Sequence, residues 1–75
     1  MKVGDYVIIK SRSELENLGY YSASCYVLAF ANKLGRIIEM QRDSKNKPIY
    51  YRIKIGLNDR TWFLEDAFIK YNGGV

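Results

Sequence analysis

The chemically capable side chains of this 75-residue chain are eight Asp and Glu, twelve Lys and Arg and one Cys, with no His. General acid-base catalysis needs two titratable groups held within hydrogen-bond reach of a substrate. Asp5, Asp59, Glu65 and Asp66 are the carboxylates with a prospect of pairing, and Glu65 and Asp66 are adjacent. No second catalytic type stands beside them, and both suit the first turn of a short helix, whose dipole favours acids. Without His the chain builds neither a Ser-His-Asp triad nor a Cys-His pair, and a lone thiol gives neither a disulfide nor the usual zinc ligand set. Cys25, between Ser24 and Tyr26, reads as a structural thiol in a reducing compartment. The expectation is therefore a protein with no catalytic residue, no metal and no cofactor, which acts by binding.

Binding chemistry has more to draw on. The net charge is +4, and five cations (Arg42, Lys45, Lys47, Arg52 and Lys54) share residues 42–54 with a single acid, Asp43. A basic stretch of this kind attracts phosphates or acidic protein surface, and it also keeps an exposed strand from pairing with another molecule. Seven Tyr, one Trp and three Phe exceed what so small a core needs. Tyr51, Phe63, Phe30 and Phe68 are assigned to the interior, which leaves Tyr20, Tyr21, Tyr50, Trp62 and Tyr71 for the surface. Tyr and Trp near Arg are the residue types enriched at the energetic centres of protein interfaces. The expected contact residues are Arg36, Arg42, Lys45, Lys47, Tyr50, Arg52 and Lys54 on one hairpin, with Tyr20 and Tyr21 on a preceding loop. The expected partner is a protein. The alternatives are RNA or single-stranded DNA on the basic face of residues 42–54, and a small molecule or nucleotide held by an oligomer.

These residues must be positioned by few elements, because a chain this short supports one core and one domain, residues 1–75. Val3, Val7 and Ile9 alternate with Tyr6 and Ile8, which predicts a strand over residues 3–10. Ser13 and Glu16 have the spacing of a capping box, with Gly19 as a stop, which predicts a helical turn over 13–18. Val27, Phe30, Ala31 and Leu34 recur at helical steps, which predicts a second helix of about ten residues that begins at Ser22 or Ser24 and ends before Gly35.

Beyond Gly35 the period changes to two. Ile38 and Met40 alternate with Ile37, Glu39 and Gln41 in one strand, and the polar run from Asp43 to Pro48 makes a loop. Ile49, Tyr51, Ile53 and Ile55 then point one way while Tyr50, Arg52 and Lys54 point the other, a half-buried strand with a wet basic face. A turn over 56–60, a strand over 61–64, a helical turn over 65–68 and a last strand over 69–71 complete the order, before a tail expected to fray. Strands this short expose edges unless the sheet curls, so a small, partly open barrel with the helices at one end is expected. No secretory signal or membrane span is read in the sequence, and the expected setting is soluble and cytoplasmic.

The segments Val3-Gly4-Asp5-Tyr6-Val7-Ile8-Ile9, Gly35-Arg36-Ile37-Ile38, Tyr51-Arg52-Ile53 and Trp62-Phe63-Leu64-Glu65 resemble the skeleton of the Src-homology-3-like small barrels over nearly the whole chain. The Val-Gly-Asp-x-Val-x-Ile opening is similar to that of KOW-type and mind-bomb-type barrels and of short phage and prophage proteins that end in a Trp-containing strand. The resemblance implies a mainly β fold: a five-stranded SH3-like barrel with one short and one longer helix inserted between its first two strands. It implies a binding module, and its phage side implies an accessory role such as blocking a host enzyme or defence complex. The inserted residues 11–34 depart from the KOW pattern, so RNA binding by that loop does not carry over. Glu14 and Glu16 are too few for the acidic cluster with which signalling domains read proline-rich peptides.

Overall fold

The computed structural model describes residues 1–20, 26–57 and 59–72. In chain order these form strand β1 (Tyr6–Ile9), helix α1 (Arg12–Asn17), helix α2 (Tyr26–Ala29), strands β2 (Leu34–Arg42), β3 (Pro48–Ile55) and β4 (Asp59–Leu64), a 3-10 turn (Glu65–Ala67) and strand β5 (Phe68–Lys70). The strands make one antiparallel sheet in the order β4-β3-β2-β1-β5. The fold is thus mainly β with two short helices. β4 and β5 are its edges, and no ladder joins them among the described residues, so the sheet is not closed into a barrel.

β1 starts later than the alternation predicts, because residues 2–5 are spent on a turn. Gly4, at φ +98, donates its N–H to Ile37 O at 2.8 Å. The N–H of Asp5 bonds Lys2 O, and its Oδ2 accepts from the Lys2 N–H, both at 3.1 Å. Val3 is left at the turn, 53% exposed, rather than in the core. α1 is capped by Ser11, not Ser13: Ser11 Oγ accepts the Glu14 N–H and bonds the Glu14 carboxylate at 2.9 Å. Ser11-x-x-Glu14 and Ser13-x-x-Glu16 have identical spacing. The bond from Lys10 N–H to Ala67 O at 3.0 Å anchors the chain just before Ser11, and the earlier cap carries Leu15 into the core.

The expected ten-residue second helix is shortened at its C-terminal end; its proposed start, with Tyr21 and Cys25, lies outside the described residues. Val27 is buried and Phe30 and Ala31 pack against the core, as the stripe requires. The helix nevertheless stops at Ala29, the chain tightens through Lys33 N–H to Phe30 O, and Asn32 adopts φ +66. Leu34 is drawn into β2 opposite Ile8, where it is exposed.

β2 does not alternate simply. Ile37 faces Ile53 and the next pair is Glu39 with Arg52, so Ile38 is the extra residue of a bulge. The bulge flips the parity, which puts Gly35 and Ile37 inside before it and Met40 against the core after it. In β3, Tyr51, Ile53 and Ile55 are buried as predicted. Ile49 is exposed, because it lies beyond the last β3–β4 pair, Tyr50 with Leu64, near the hairpin end. The helical turn starts at Glu65 as predicted but ends one residue early, at Ala67, so the last strand begins and ends one residue earlier and Phe68 enters β5 and the core.

The core draws on every strand: Val7, Ile9, Ile37, Tyr51, Ile53, Ile55, Phe63 and Phe68, with Leu15, Val27 and Ala67 over them. Phe63 receives Tyr26 and Phe30 edge-on, and Tyr51 meets Phe68 likewise. Among the described residues no polar or charged residue is buried. The β4 edge is partly guarded, since Tyr26 Oη donates to Trp62 O at 2.7 Å and so occupies a carbonyl that would otherwise accept another strand.

Candidate binding surface

The side chains that alternate with the core residues form the outer face of the sheet, and strand register decides which of them meet. Tyr6 of β1 faces Arg36 of β2, Arg36 faces Lys54 of β3, and Lys54 faces Arg60 of β4. On the other side the Tyr71 N–H bonds Tyr6 O at 2.9 Å, which adds a second tyrosine to the row. One line therefore crosses the sheet as Tyr71, Tyr6, Arg36, Lys54, Arg60. The Arg36 guanidinium lies 5.7 Å from the Tyr6 ring centroid, a cation-π distance. Tyr6, Arg36 and Lys54, with Leu34, Gly35 and Gly56, line an open hollow of about 260 Å³.

Three cations stand side by side here without an acid between them. The ion pairs among the described residues are Arg12–Glu16, Arg52–Glu39 and Lys70–Asp5, and none involves Arg36, Lys54 or Arg60. Like charges directly opposite on neighbouring strands destabilise a sheet. This row is a place where the surface departs from what stability alone would favour.

The residues expected to touch a partner do not all converge. Arg36 and Lys54 are in the row. Arg52, one cross-strand pair along, is already engaged: its Nη1 is 3.4 Å from Glu39 Oε1 and its guanidinium lies 5.9 Å from the Trp62 ring centroid. Tyr50, a pair further on, is 41% exposed. Arg42, Lys45 and Lys47 are at the β2–β3 hairpin tip, about 20 Å from the row at 3.3 Å per residue. Asp43 organises that tip, its Oδ1 accepting the N–H groups of Lys45 and Lys47, both at 2.9 Å, while Arg42 bonds Asn46 O. The single basic segment of the sequence is thus two separate regions in space.

Tyr20 is half-buried against the core and donates to Asp66 Oδ1 at 2.7 Å, so its hydroxyl is engaged within the fold. Tyr21 lies outside the described residues. Of the row, Tyr6 and Arg60 are absent from the contact residues expected from the sequence and Tyr71 is expected only at the surface; Arg60 falls in a stretch read as a turn. The signal that could have found it is the two-residue step from Arg60 to Trp62, which continues β4 outward. Beside the row runs an apolar line, with Ile8 of β1 between Ile69 of β5 and Leu34 of β2. Ile69 and Leu34 are 53% and 47% exposed.

Among the described residues no three His, Cys, Asp or Glu are grouped as metal ligands, and no helix is long and apolar enough to cross a membrane. No protein-family model matches this chain, and no curated protein or solved structure is significantly similar to it.

Proposed function

We propose that this protein is a non-catalytic binding module, an SH3-like small barrel in type, whose basic outer sheet face docks on an acidic surface of a partner protein. The observation that carries the reading is the in-register row Arg36, Lys54, Arg60, three neighbouring cations with no carboxylate paired to them among the described residues. Such a patch speeds encounter with an acidic surface and selects against basic ones. The SH3-like assignment is supported by the strand order, by the excursion between β1 and β2, and by the 3-10 turn that leads into β5. The accessory role we propose with it, occupying and modulating a larger cytoplasmic complex, rests on the phage resemblance alone.

A second reading, single-stranded nucleic acid, is favoured by exposed Tyr50 beside Arg52 and the cationic hairpin tip. A pull-down with the tagged chain, with and without nuclease, separates the two. The protein reading expects one defined protein to survive nuclease and to be lost with the triple variant Arg36→Glu/Lys54→Glu/Arg60→Glu. Loss of the retained material to nuclease, or its retention by the triple variant, overturns that reading.

A further inference from the structure

We infer that the element this face receives is an amphipathic helix of the partner, acidic along the stripe over Arg36, Lys54 and Arg60 and apolar where it crosses Tyr6 of β1 and Tyr71 just past β5. This deepens the protein-docking reading and rests on it.

The spacing of the row is the first reason. Neighbouring strands are about 4.8 Å apart, so Arg36 to Arg60 spans about 9.6 Å and the whole row, Tyr71 to Arg60, about 19 Å. On a helix, residues at i, i+4 and i+7 share a face, lie about 5–6 Å from one another and advance about 10.5 Å along the axis over the three. A helix laid across the strands therefore keeps one carboxylate over each cation. An extended segment presents same-face residues about 6.7 Å apart, or about 13 Å over three, and falls out of step with the row by the third cation.

The second reason is the change of character along the row. Past Arg36 the line continues as Tyr6, 51% exposed, and Tyr71, 37% exposed, with Ile8, Ile69 and Leu34 in the adjoining line. The same helix stripe, carried on to i+11 and i+14, meets this apolar ground. Apolar anchors at helical spacing with charges at one end are the usual terms of helix-in-groove recognition. A helix dipole favours acids near the N-terminus, so the helix runs from β4 towards β5.

The third reason separates this occupant from a nucleic acid. Two rings that border the cations, Tyr6 and Trp62, already carry a guanidinium, from Arg36 and Arg52 respectively, where a base would stack.

The test is a titration of the intact chain with an alanine-based peptide of about 16 residues bearing Glu at i, i+4 and i+7 and Leu at i+11 and i+14. A second peptide has the same composition with its Glu and Leu distributed around the helix, and a thymidine oligomer is the third probe. Amide chemical shifts of Tyr6, Arg36, Lys54 and Arg60 report the site. The striped peptide is expected to bind at least about tenfold tighter than the redistributed one, the size of one good charge pair. Arg36→Ala/Lys54→Ala/Arg60→Ala should lose that preference, and Arg36→Lys/Arg60→Lys, which keeps the charges, should retain it. Equal binding of the two peptides at this face overturns the helix and leaves the acidic-partner reading standing. No binding of either peptide, or tighter binding of the thymidine oligomer, overturns both.

Discussion

Lys54 has a cation on each side in the row, so removing its charge should stabilise the fold while weakening any acidic partner. Cβ atoms of directly opposed residues are about 5 Å apart, and the charged ends of long side chains splay to roughly 7 Å. At that distance, in a medium as polar as water, each like-charge pair costs about 0.6 kcal/mol, which a Debye length of about 10 Å at 0.1 M salt roughly halves. With two neighbours, Arg36 and Arg60, Lys54→Gln should gain about 0.6 kcal/mol at 0.1 M salt and only about 0.1 kcal/mol at 1 M, where the Debye length is about 3 Å. Urea unfolding followed by Trp62 fluorescence reads this as a midpoint raised by about 0.5 M at low salt. Lys54→Arg, which keeps the charge, should gain nothing. A gain that persists undiminished at 1 M salt, or one shared by Lys54→Arg, would refute repulsion as its cause, and no gain at all would refute the strain assigned to the row.

Three further outcomes test the fold that carries the row. A Cβ on Gly35 would collide with Ile53 Cγ2 and stand 3.0 Å from Ile55 Cγ1 and 3.1 Å from Lys54 O. Gly35→Ala should therefore cost about 2–3 kcal/mol, the upper part of the overpacking range; a loss below about 1 kcal/mol in urea unfolding would contradict the packing of β2 on β3. Tyr26→Phe keeps the ring against Phe63 but removes the hydroxyl from Trp62 O, which should cost about 0.5–1.5 kcal/mol and free part of the β4 edge. Sedimentation should then find more self-association than in the parent chain. Burial, reinforced by Glu65 and opposed by Arg42, pushes the Tyr51 phenol above its ordinary value of 10.0. The unfolded chain loses this proton first, so the stability contributed by neutral Tyr51 is complete below pH 10.0 and is lost as pH rises through the higher folded value. Tyr51→Phe should lack this part of the alkaline fall in denaturation midpoint.

How far each element could be read from the sequence follows the range of the forces that set it. The β class and the inward face of β3 were legible because Tyr51, Ile53 and Ile55 repeat at the period of a pleated strand between polar neighbours. The loop around Asp43 was legible for the same local reason, since a short carboxylate closes it, whereas the turn at Gly4-Asp5 falls where the alternation predicts a strand. The bulge at Ile38 was not. Ile37 and Ile38 are equally apolar, and only pairing with Ile53 and Arg52 decides which is the extra residue. The choice of Ser11 over Ser13 as helix cap likewise depended on an anchor from Ala67, far along the chain.

The candidate surface divides along the same line. Composition alone determined that this chain carries excess cations, many aromatic rings and no histidine, the features on which the binding proposal draws. Tertiary structure alone decided that Tyr6, Arg36, Lys54 and Arg60 stand in one row, that Arg52 is occupied by Glu39, and that the hairpin-tip lysines are elsewhere. Periodicity tells a residue which face it takes. Which residues become neighbours on that face is set by strand register, a property of pairs distant in sequence that no local pattern encodes.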